Sequence, residues 1–253
     1  MPKSHYYHKG AFRGIDLPML LMQPGCAIVD YDHFTQLQVT NGNTLGGYIS
    51  TVDAGGSLIQ EWQDPGIALQ IGTAGGDNDG SFLARQTAVG AFDVSLNSNR
   101  RVAFEARFKA VQGAEIGFFV GLAEAGLDQD LIVDSTGAIQ DKDVIGFHAV
   151  MHATSVDIDG IYRIEGGSKV VGAENMSQDV DDVFHTYGFQ FDGADQLYWF
   201  YDYKEVGVST LTAATVADGE ALTPTFCVKT GEGVEKDLTV WSWQAAQLLL
   251  ESD

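Results

Sequence analysis

The sequence contains few cysteines, prolines and basic residues, which are the residues that cross-link a chain, stiffen it and give it positive charge. Its 253 residues include two cysteines, five prolines and 14 basic residues, against 35 acidic residues and 30 glycines. Cys26 and Cys227 lie far apart and neither belongs to a CxxC pair, which predicts two small buried thiols and leaves a single disulfide as the alternative. Few prolines beside many glycines are typical of a chain with tight turns rather than of a disordered linker.

The shortage of positive charge limits the classes of partner. The formal net charge is −21, and nucleic-acid binding depends on neutralising phosphates with lysine and arginine, so we predict no nucleic-acid partner. An anionic membrane surface is disfavoured for the same reason. The apolar run at residues 17–22 is too short for a signal peptide or a transmembrane helix. We therefore expect a soluble protein made in the cytoplasm, whose charge supports its solubility.

Short motifs that carry catalysis are also missing. The sequence has no GxSxG, HExxH or HxH motif, and the glycine-rich run 72–80 lacks the Lys-Ser/Thr of a P-loop. His148 and His152 are four residues apart on a predicted strand, where the strand rise separates them by about 13 Å. That separation is too large for one zinc ion. We find no catalytic residue, and we predict no cofactor.

Calcium is the better metal candidate, and a weak one. Asp77, Asn78 and Asp79 form a loop of hard oxygen ligands, and residues 128–130 form another. Neither loop matches the twelve-residue calcium motif. The alternative is that these residues form hydrogen-bonded turns between strands, which Asn and Asp favour.

Most of the chain has the two-residue period of β-strands. Val102, Phe104, Ala106 and Phe108 are predicted to face inward, alternating with polar or small residues. The run 184–208 contains two aromatic strands around an Asp192-Gly193 turn. Further strands are predicted at 34–40, 57–63, 67–72, 81–86, 114–124, 143–151, 159–167, 223–231 and 236–243. Residues 244–250 either continue the last strand or form one helical turn.

This pattern predicts an all-β fold, a two-sheet antiparallel jelly-roll sandwich with an extended N-terminal arm. Residues 1–30 form the arm or a surface-docked segment, and residues 31–253 form a single domain. The arm lies over its own domain in one interpretation, and docks on a neighbouring protein in the other. Its predicted anchors in the second interpretation are Tyr6, Tyr7, Phe12, Arg13, Leu17, Met19 and Leu20.

The order of elements after residue 100 resembles the concanavalin A-like lectin/glucanase superfamily in its laminin-G-like form. The resemblance rests on Phe184-His185, Asp192-Gly193, the run 200–204 and Val206-Gly207, with Tyr203 where the family usually has glycine. Glucanases of this superfamily carry Glu-x-Asp-x-x-Glu on one strand, which this sequence lacks. The nearest carboxylates, at 157–159 and 165, lie beside a glycine turn. We therefore predict that the protein is not an enzyme; a degraded hydrolase is a weaker alternative.

A second resemblance covers nearly the whole chain. The runs 16–25, 104–109, 118–124, 143–147, 186–193 and 222–232 look like virion proteins of tailed bacteriophages that are encoded beside the capsid genes. This resemblance implies a capsid decoration, or cement, protein on the outer surface of the virion. Its implied partner is the major capsid protein, and a homo-oligomer, trimer or dimer, is expected.

The alternative function is a glycan-binding module, possibly displayed on the virion. Aromatic side chains on a sheet stack on sugar rings, and the candidates are Trp199, Tyr201, Trp241 and Trp243. The competing interpretation is that these aromatic residues form the core.

Overall fold

The computed structural model describes residues 10–12, 27–34, 47–63, 66–85, 92–111, 115–134, 136–150, 157–177, 183–216 and 220–248. Strands dominate this part of the chain. They are β1 (Ala27–Asp32), β2 (Tyr48–Val52), β3 (Ser57–Gln63), β4 (Gly66–Gly72), β5 (Gly80–Arg85), β6 (Phe92–Asp93), β7 (Val102–Val111), β8 (Ile116–Glu124), β9 (Val144–Ala149), β10 (Ile158–Arg163), β11 (Val170–Ser177), β12 (His185–Phe191), β13 (Gln196–Tyr201), β14 (Lys204–Thr210), β15 (Ala221–Thr230) and β16 (Asp237–Leu248). The only described helices are 3-10 turns, at Gly10–Phe12 and Gln129–Leu131.

The strands form two antiparallel sheets, as the sequence predicts. Sheet A has the order β14-β13-β12-β7-β16-β4-β3, with β1 also paired to β16. Sheet B has the order β11-β10-β9-β8-β15-β5-β2, with β6 also paired to β15. In each sheet three of the seven strand pairs join strands that are consecutive in the chain, and the other four join strands that are distant in sequence. The sandwich therefore combines hairpins with long crossover connections.

The main core lies between the sheets and is strongly aromatic. Inward residues of β7 and β12 stack in pairs, with ring centroids of Phe108 and Tyr187 4.4 Å apart and those of Phe104 and Phe189 5.5 Å apart. Phe147 reaches from sheet B to lie edge-on to Trp199 of sheet A at 5.8 Å. Each such side chain contributes about 1.5–3 kcal/mol on burial. The predicted inward face of β7 is therefore confirmed.

The aromatic hairpin is confirmed and has a third strand. At the Asp192-Gly193 turn, Gly193 has φ +87° and Asp192 Oδ1 accepts the Ala194 and Gln196 amides. A two-residue turn then joins β13 to β14, and both of its residues, Asp202 and Tyr203, have positive φ. This is the turn geometry that matches the twist of paired strands, so Tyr203 takes the conformation that glycine usually supplies.

Four strands lie outside the predicted strand ranges, namely β1, β2, β6 and β11. Of these, β1 begins at Ala27, inside the segment 1–30 assigned to the arm. In the described part of the C-terminal segment, residues 244–248 continue the last strand rather than forming a helical turn. Most of the predicted strand at 34–40 lies outside the described residues. Cys227 is fully buried, as predicted, and Cys26 lies outside the described residues.

Candidate functional site

The outer face of sheet B is closed by the chain's own loop. Leu131, Ile132 and Ile139, from the loop between β8 and β9, pack on an apolar surface of the sheet that includes Phe119 and Cys227. Burial raises the pKa of the Cys227 thiol to about 12, so the thiol stays protonated and unreactive at neutral pH. This face offers no open surface around these residues.

Two buried polar side chains fasten that loop. Lys229 is 1% exposed, and its ammonium group forms ion pairs with Asp130, at 3.3 Å, and with Asp134, while donating to the Ile132 carbonyl at 3.1 Å. His148 is fully buried, and its Nε2 lies 2.9 Å from the Gly137 carbonyl. Burial lowers the pKa of His148 to about 3, so the imidazole is neutral and Nε2 carries the proton.

The remaining carboxylates near this sheet hold turns together. Asp159 accepts the Asn175 amide at 3.0 Å, and Glu165 pairs with Lys142 at 3.0 Å. Asp79 accepts the Gly76 amide at 2.7 Å, as expected of a hydrogen-bonded turn. No group of three or more potential metal ligands occurs among the residues that the structure describes. Asp77 and Asn78 therefore remain unsupported as calcium ligands.

The outer face of sheet A is different, because four partly exposed side chains contact one another there. Arg107 and Lys109 point outward from β7, on either side of the buried Phe108. The guanidinium carbon of Arg107 lies 4.1 Å from the ring centroid of Trp241 and 5.8 Å from that of Phe184. Lys109 Nζ lies 5.1 Å from the Phe184 centroid. We call Arg107, Lys109, Phe184 and Trp241 the aromatic–cationic patch.

Trp241 reaches this face through a bulge in β16. The pairing of β16 with β7 shifts register between Val240 and Ser242. A strictly alternating strand would place Val240 and Trp243 on opposite faces, but both lie in the core. The extra residue therefore leaves Trp241 on the outer face, above Arg107.

A further exposed aromatic residue lies on the same face. Tyr31 of β1 is 57% exposed and pairs with Gln244 of β16. Gln244 Nε2 donates to Glu105 Oε1 at 3.1 Å, and both side chains project from the outer face of sheet A. Residues paired across strands project to the same side, so Tyr31 extends the aromatic surface beside the patch.

Glu105 lies under the short N-terminal segment. A Cβ at Gly10 would lie 2.9 Å from Glu105 Oε2 and 3.1 Å from Tyr203 Cδ1, so only glycine permits this close approach, and its φ is +64°. Burial raises the pKa of Glu105 to about 7, against the weaker opposing effect of the Gln244 hydrogen bond. Near neutral pH this carboxyl group therefore exchanges a proton.

The rim of the sandwich next to Phe184 carries a histidine with acidic and phenolic partners. His185 Nδ1 lies 2.8 Å from Asp202 Oδ2 and 2.9 Å from the Tyr201 hydroxyl. Asp202 also accepts the Thr186 amide at 3.0 Å, so it fixes both the turn and the imidazole.

The predicted glycan-stacking residues separate into two groups. Trp199 and Trp243 are 0% and 2% exposed, and Trp243 Nε1 donates to the Tyr48 hydroxyl at 2.9 Å, so both belong to the core. Tyr201 packs against that core from the rim. Of the four, only Trp241 lies on an outer sheet face, and the alternation in the sequence did not distinguish it because the bulge is not visible there.

One predicted arm anchor is described, and it contacts its own chain. Phe12 is 2% exposed and packs with Ala103, Phe200 and Ala246 on the outer face of sheet A. In this conformation Phe12 is not available to a neighbouring protein, because its own sheet covers it. The other predicted anchors lie outside the described residues: Tyr6, Tyr7, Arg13, Leu17, Met19 and Leu20.

The chain matches no protein-family model and no curated protein sequence. Solved structures do match it. The carbohydrate recognition domain of Emp47p aligns over 90% of this chain and 97% of its own, with a TM-score of 0.57 and 11% identity. SCLam, a non-specific endo-β-1,3(4)-glucanase, aligns over 89% of this chain and 93% of its own, with a TM-score of 0.58 and 10% identity. An endo-β-1,4-glucuronan lyase from Trichoderma reesei aligns over 86% of this chain and 94% of its own, with a TM-score of 0.55 and 10% identity.

At such identities the likeness shows the fold alone. The fold is the concanavalin A-like lectin/glucanase jelly roll, which confirms the predicted architecture. The prediction that the chain is not an enzyme is wrong, because the matched structures include endo-glucanases and a lyase beside carbohydrate recognition domains. A missing Glu-x-Asp-x-x-Glu motif therefore removes only one type of hydrolysis. Among the described residues, no helix has the length and apolarity needed to cross a membrane.

Proposed function

We propose that the protein binds carbohydrate through the outer face of sheet A, with the aromatic–cationic patch as the site. The observation that carries this proposal is the contact of Arg107 with the rings of Trp241 and Phe184, three partly exposed side chains on the outer face of sheet A. Aromatic rings bind the apolar faces of sugar rings, and charged side chains donate hydrogen bonds to hydroxyl groups. The patch supplies both kinds of contact.

Two features of the molecule support this choice of face. Apolar residues of the chain's own loop cover the part of the outer face of sheet B that includes Phe119 and Cys227. The outer face of sheet A carries Tyr31 beyond the patch, which lengthens the aromatic surface along the sheet. The shared fold with carbohydrate recognition domains and glucanases is consistent with this function.

The experiment is isothermal titration calorimetry of the full chain against a panel of soluble oligosaccharides. We expect at least one member to bind, and Trp241→Ala to weaken its binding at least tenfold, because the variant loses an aromatic contact and releases Arg107. The control is Trp62→Ala. Trp62 is 78% exposed, but its register with β4 places it on the face of sheet A opposite to the patch. The absence of any binding, or equal losses in both variants, would overturn the proposal.

Our second proposal is attachment to a virus capsid as a decoration protein, and one observation favours it. Val206 and Val208 on the edge strand β14 are 46% and 47% exposed, and Tyr203 beside them is 46% exposed. These residues form an apolar strip along the edge strand, and Tyr203 lies next to Gly10. Such a strip fits a protein partner better than a sugar, and the proposed partner is the major capsid protein, bound by an oligomer of this chain.

Co-sedimentation with tailed-phage capsid shells that lack their decoration protein tests the second proposal. We expect saturable binding by the wild-type chain and a loss of at least tenfold in affinity for the double variant Val206→Ser, Val208→Ser. Val234→Ser is the control, because Val234 is 49% exposed but distant in sequence from the strip. Undiminished binding of the double variant would place the contact elsewhere.

A further inference from the structure

Among the residues that the structure describes, six of the eleven basic side chains form ion pairs with carboxylates. Arg85 pairs with Asp30 at 2.9 Å, Arg100 with Asp93 at 3.1 Å, and Arg163 with Asp141 at 2.8 Å. Lys142, Lys229 and Lys236 also have carboxylate partners. This is the expected result when 35 acidic residues surround 14 basic ones.

Arg107 departs from that pattern. It is partly buried at the centre of sheet A, and within the described ranges its guanidinium contacts two aromatic rings and no carboxylate. The nearest acidic residue along the same face of β7 is Glu105, whose oxygens are used by Gln244 and covered by Gly10. A guanidinium held in a fixed orientation with unused N–H donors is suited to a planar anion from outside.

Lys109 supplies a second positive charge on the same face. It lies two residues from Arg107, which corresponds to roughly 7 Å along a strand. Its ammonium group is held over Phe184, the ring that also faces Arg107. The patch therefore presents two cations and two aromatic rings on one side of the sheet.

We infer that the patch recognises the carboxylates of acidic carbohydrates, that is, oligosaccharides of uronic acids. This inference rests on the proposed function and names its ligand class. The Arg107 guanidinium donates two parallel hydrogen bonds to one carboxylate, and the Lys109 ammonium attracts the same or a neighbouring carboxylate. Phe184 and the free side of Trp241 contact the sugar rings.

The net charge of the chain favours a sparse anion over a dense one. Nucleic acids carry a charge every few ångströms and are bound by many cations together, whereas the patch has two. With a net charge of −21, the rest of the protein repels a densely charged polymer. A uronic acid oligosaccharide carries one charge per sugar, and at about 0.15 M salt the more distant repulsion is largely screened.

The test compares oligogalacturonate and oligoglucuronate with their carboxyl-reduced neutral counterparts, which keep the same linkages and lengths. Titration calorimetry at about 0.15 M salt gives the affinity of the wild-type chain for each. We expect at least one acidic form to bind tenfold or more tightly than its neutral counterpart. Arg107→Met removes the charge and retains much of the packing, and we expect it to abolish that preference.

Two further variants make the result specific. Arg107→Lys keeps the charge but loses the planar fork, so we expect it to recover only part of the preference. Arg100→Met changes the net charge by the same amount as Arg107→Met at an ion pair outside the patch, and we expect it to bind like the wild type.

The outcomes separate the two claims. Equal binding of acidic and neutral forms, or an acidic preference that survives in Arg107→Met, overturns the inference and leaves carbohydrate binding intact. If neither form of any oligosaccharide binds, here or in the wider panel, the proposed function fails as well. A preference lost equally in Arg107→Met and Arg100→Met shows a long-range charge effect and also overturns the inference.

Discussion

Arg107 and Trp241 form a cation–π pair, with the guanidinium carbon 4.1 Å from the centroid of the indole ring. The two residues lie on adjacent strands, β7 and β16, whose pairing is interrupted by a bulge beside Trp241. Such pairs contribute about 0.5–1 kcal/mol when exposed and about 2 kcal/mol when desolvated. We expect the pair to stabilise the sheet and to hold the guanidinium in one orientation.

We predict that this pair is energetically coupled. A double-mutant cycle with Arg107→Met and Trp241→Leu is expected to give a coupling free energy of about 0.5–2 kcal/mol. Urea denaturation of the wild type, the two single variants and the double variant measures it. Free-energy changes that add to within about 0.3 kcal/mol would show that the stack contributes nothing.

Glu105 is predicted to destabilise the fold as pH rises. Its pKa in the folded state is about 7, above the ordinary value of 4.5, because burial disfavours the charged carboxylate. Between these values the folded chain holds a proton that the unfolded chain has released, so the free energy of unfolding falls as pH increases through this interval. Above pH 7 the carboxyl group is ionised in both states, and this contribution to the free energy of unfolding is lost.

Glu105→Gln removes this titration and retains a hydrogen-bond acceptor for Gln244. We expect the variant to be more stable than the wild type by about 1–3 kcal/mol at pH 8 and nearly equal to it at pH 4.5. Thermal or urea denaturation across this range measures the difference. The exposed Glu220 provides a matched control as Glu220→Gln. A difference that does not change with pH contradicts the assignment.

His148 is predicted to weaken the fold in acid. Its pKa is lowered from 6.5 to about 3 by burial. As pH falls from 6.5 toward 3, the unfolded chain gains a proton that the folded chain does not bind, so the free energy of unfolding falls by up to about 1.4 kcal/mol per pH unit. Above pH 6.5 this contribution to stability is fully present.

The variant His148→Gln cannot titrate and should lack this part of the pH dependence, whatever its stability at pH 7. The measured quantity is the difference in free energy of unfolding between wild type and variant, which we expect to shrink as pH decreases. His33→Gln is the control, since His33 is exposed. Parallel curves for wild type and His148→Gln would refute this account.

Lys229 is predicted to hold the loop over sheet B. Lys229→Met keeps the apolar stem and removes the contacts of the ammonium group with Asp130, Asp134 and the Ile132 carbonyl. We expect a loss of about 1.5–3 kcal/mol, as for hydrogen bonds to a buried charge. Hydrogen exchange should accelerate at residues 127–140 more than in the strands. Uniform acceleration across both sheets would show that Lys229 supports the whole fold and not the loop.

The sequence predicted the sandwich because strand periodicity is a local property. The alternation at Val102, Phe104, Ala106 and Phe108 and the turn at Asp192-Gly193 need only neighbouring residues to be read. β1 was not predicted, because its pairing with β16 depends on a contact between the two ends of the chain.

The candidate site was predicted only in part, for a related reason. Trp241 was selected with three other aromatic residues, but strict alternation gives no reason to separate it from Trp243. The bulge that separates them is set by pairing with β7. Arg107 and Lys109 alternate with the predicted inward residues of β7, so the alternation places them on the outer face. Their contact with Phe184 depends on the register of β12 beside β7.

The most direct test of carbohydrate binding at this face is a nitrogen–proton NMR titration that follows the indole N–H signals of the four tryptophans. We predict that a bound oligosaccharide shifts the Trp241 signal and the Arg107 side-chain signal. The buried Trp199 and Trp243 and the exposed Trp62 should change little. A saturable titration that leaves Trp241 and Arg107 unchanged and shifts Trp62, or no shift with any oligosaccharide, would contradict the account.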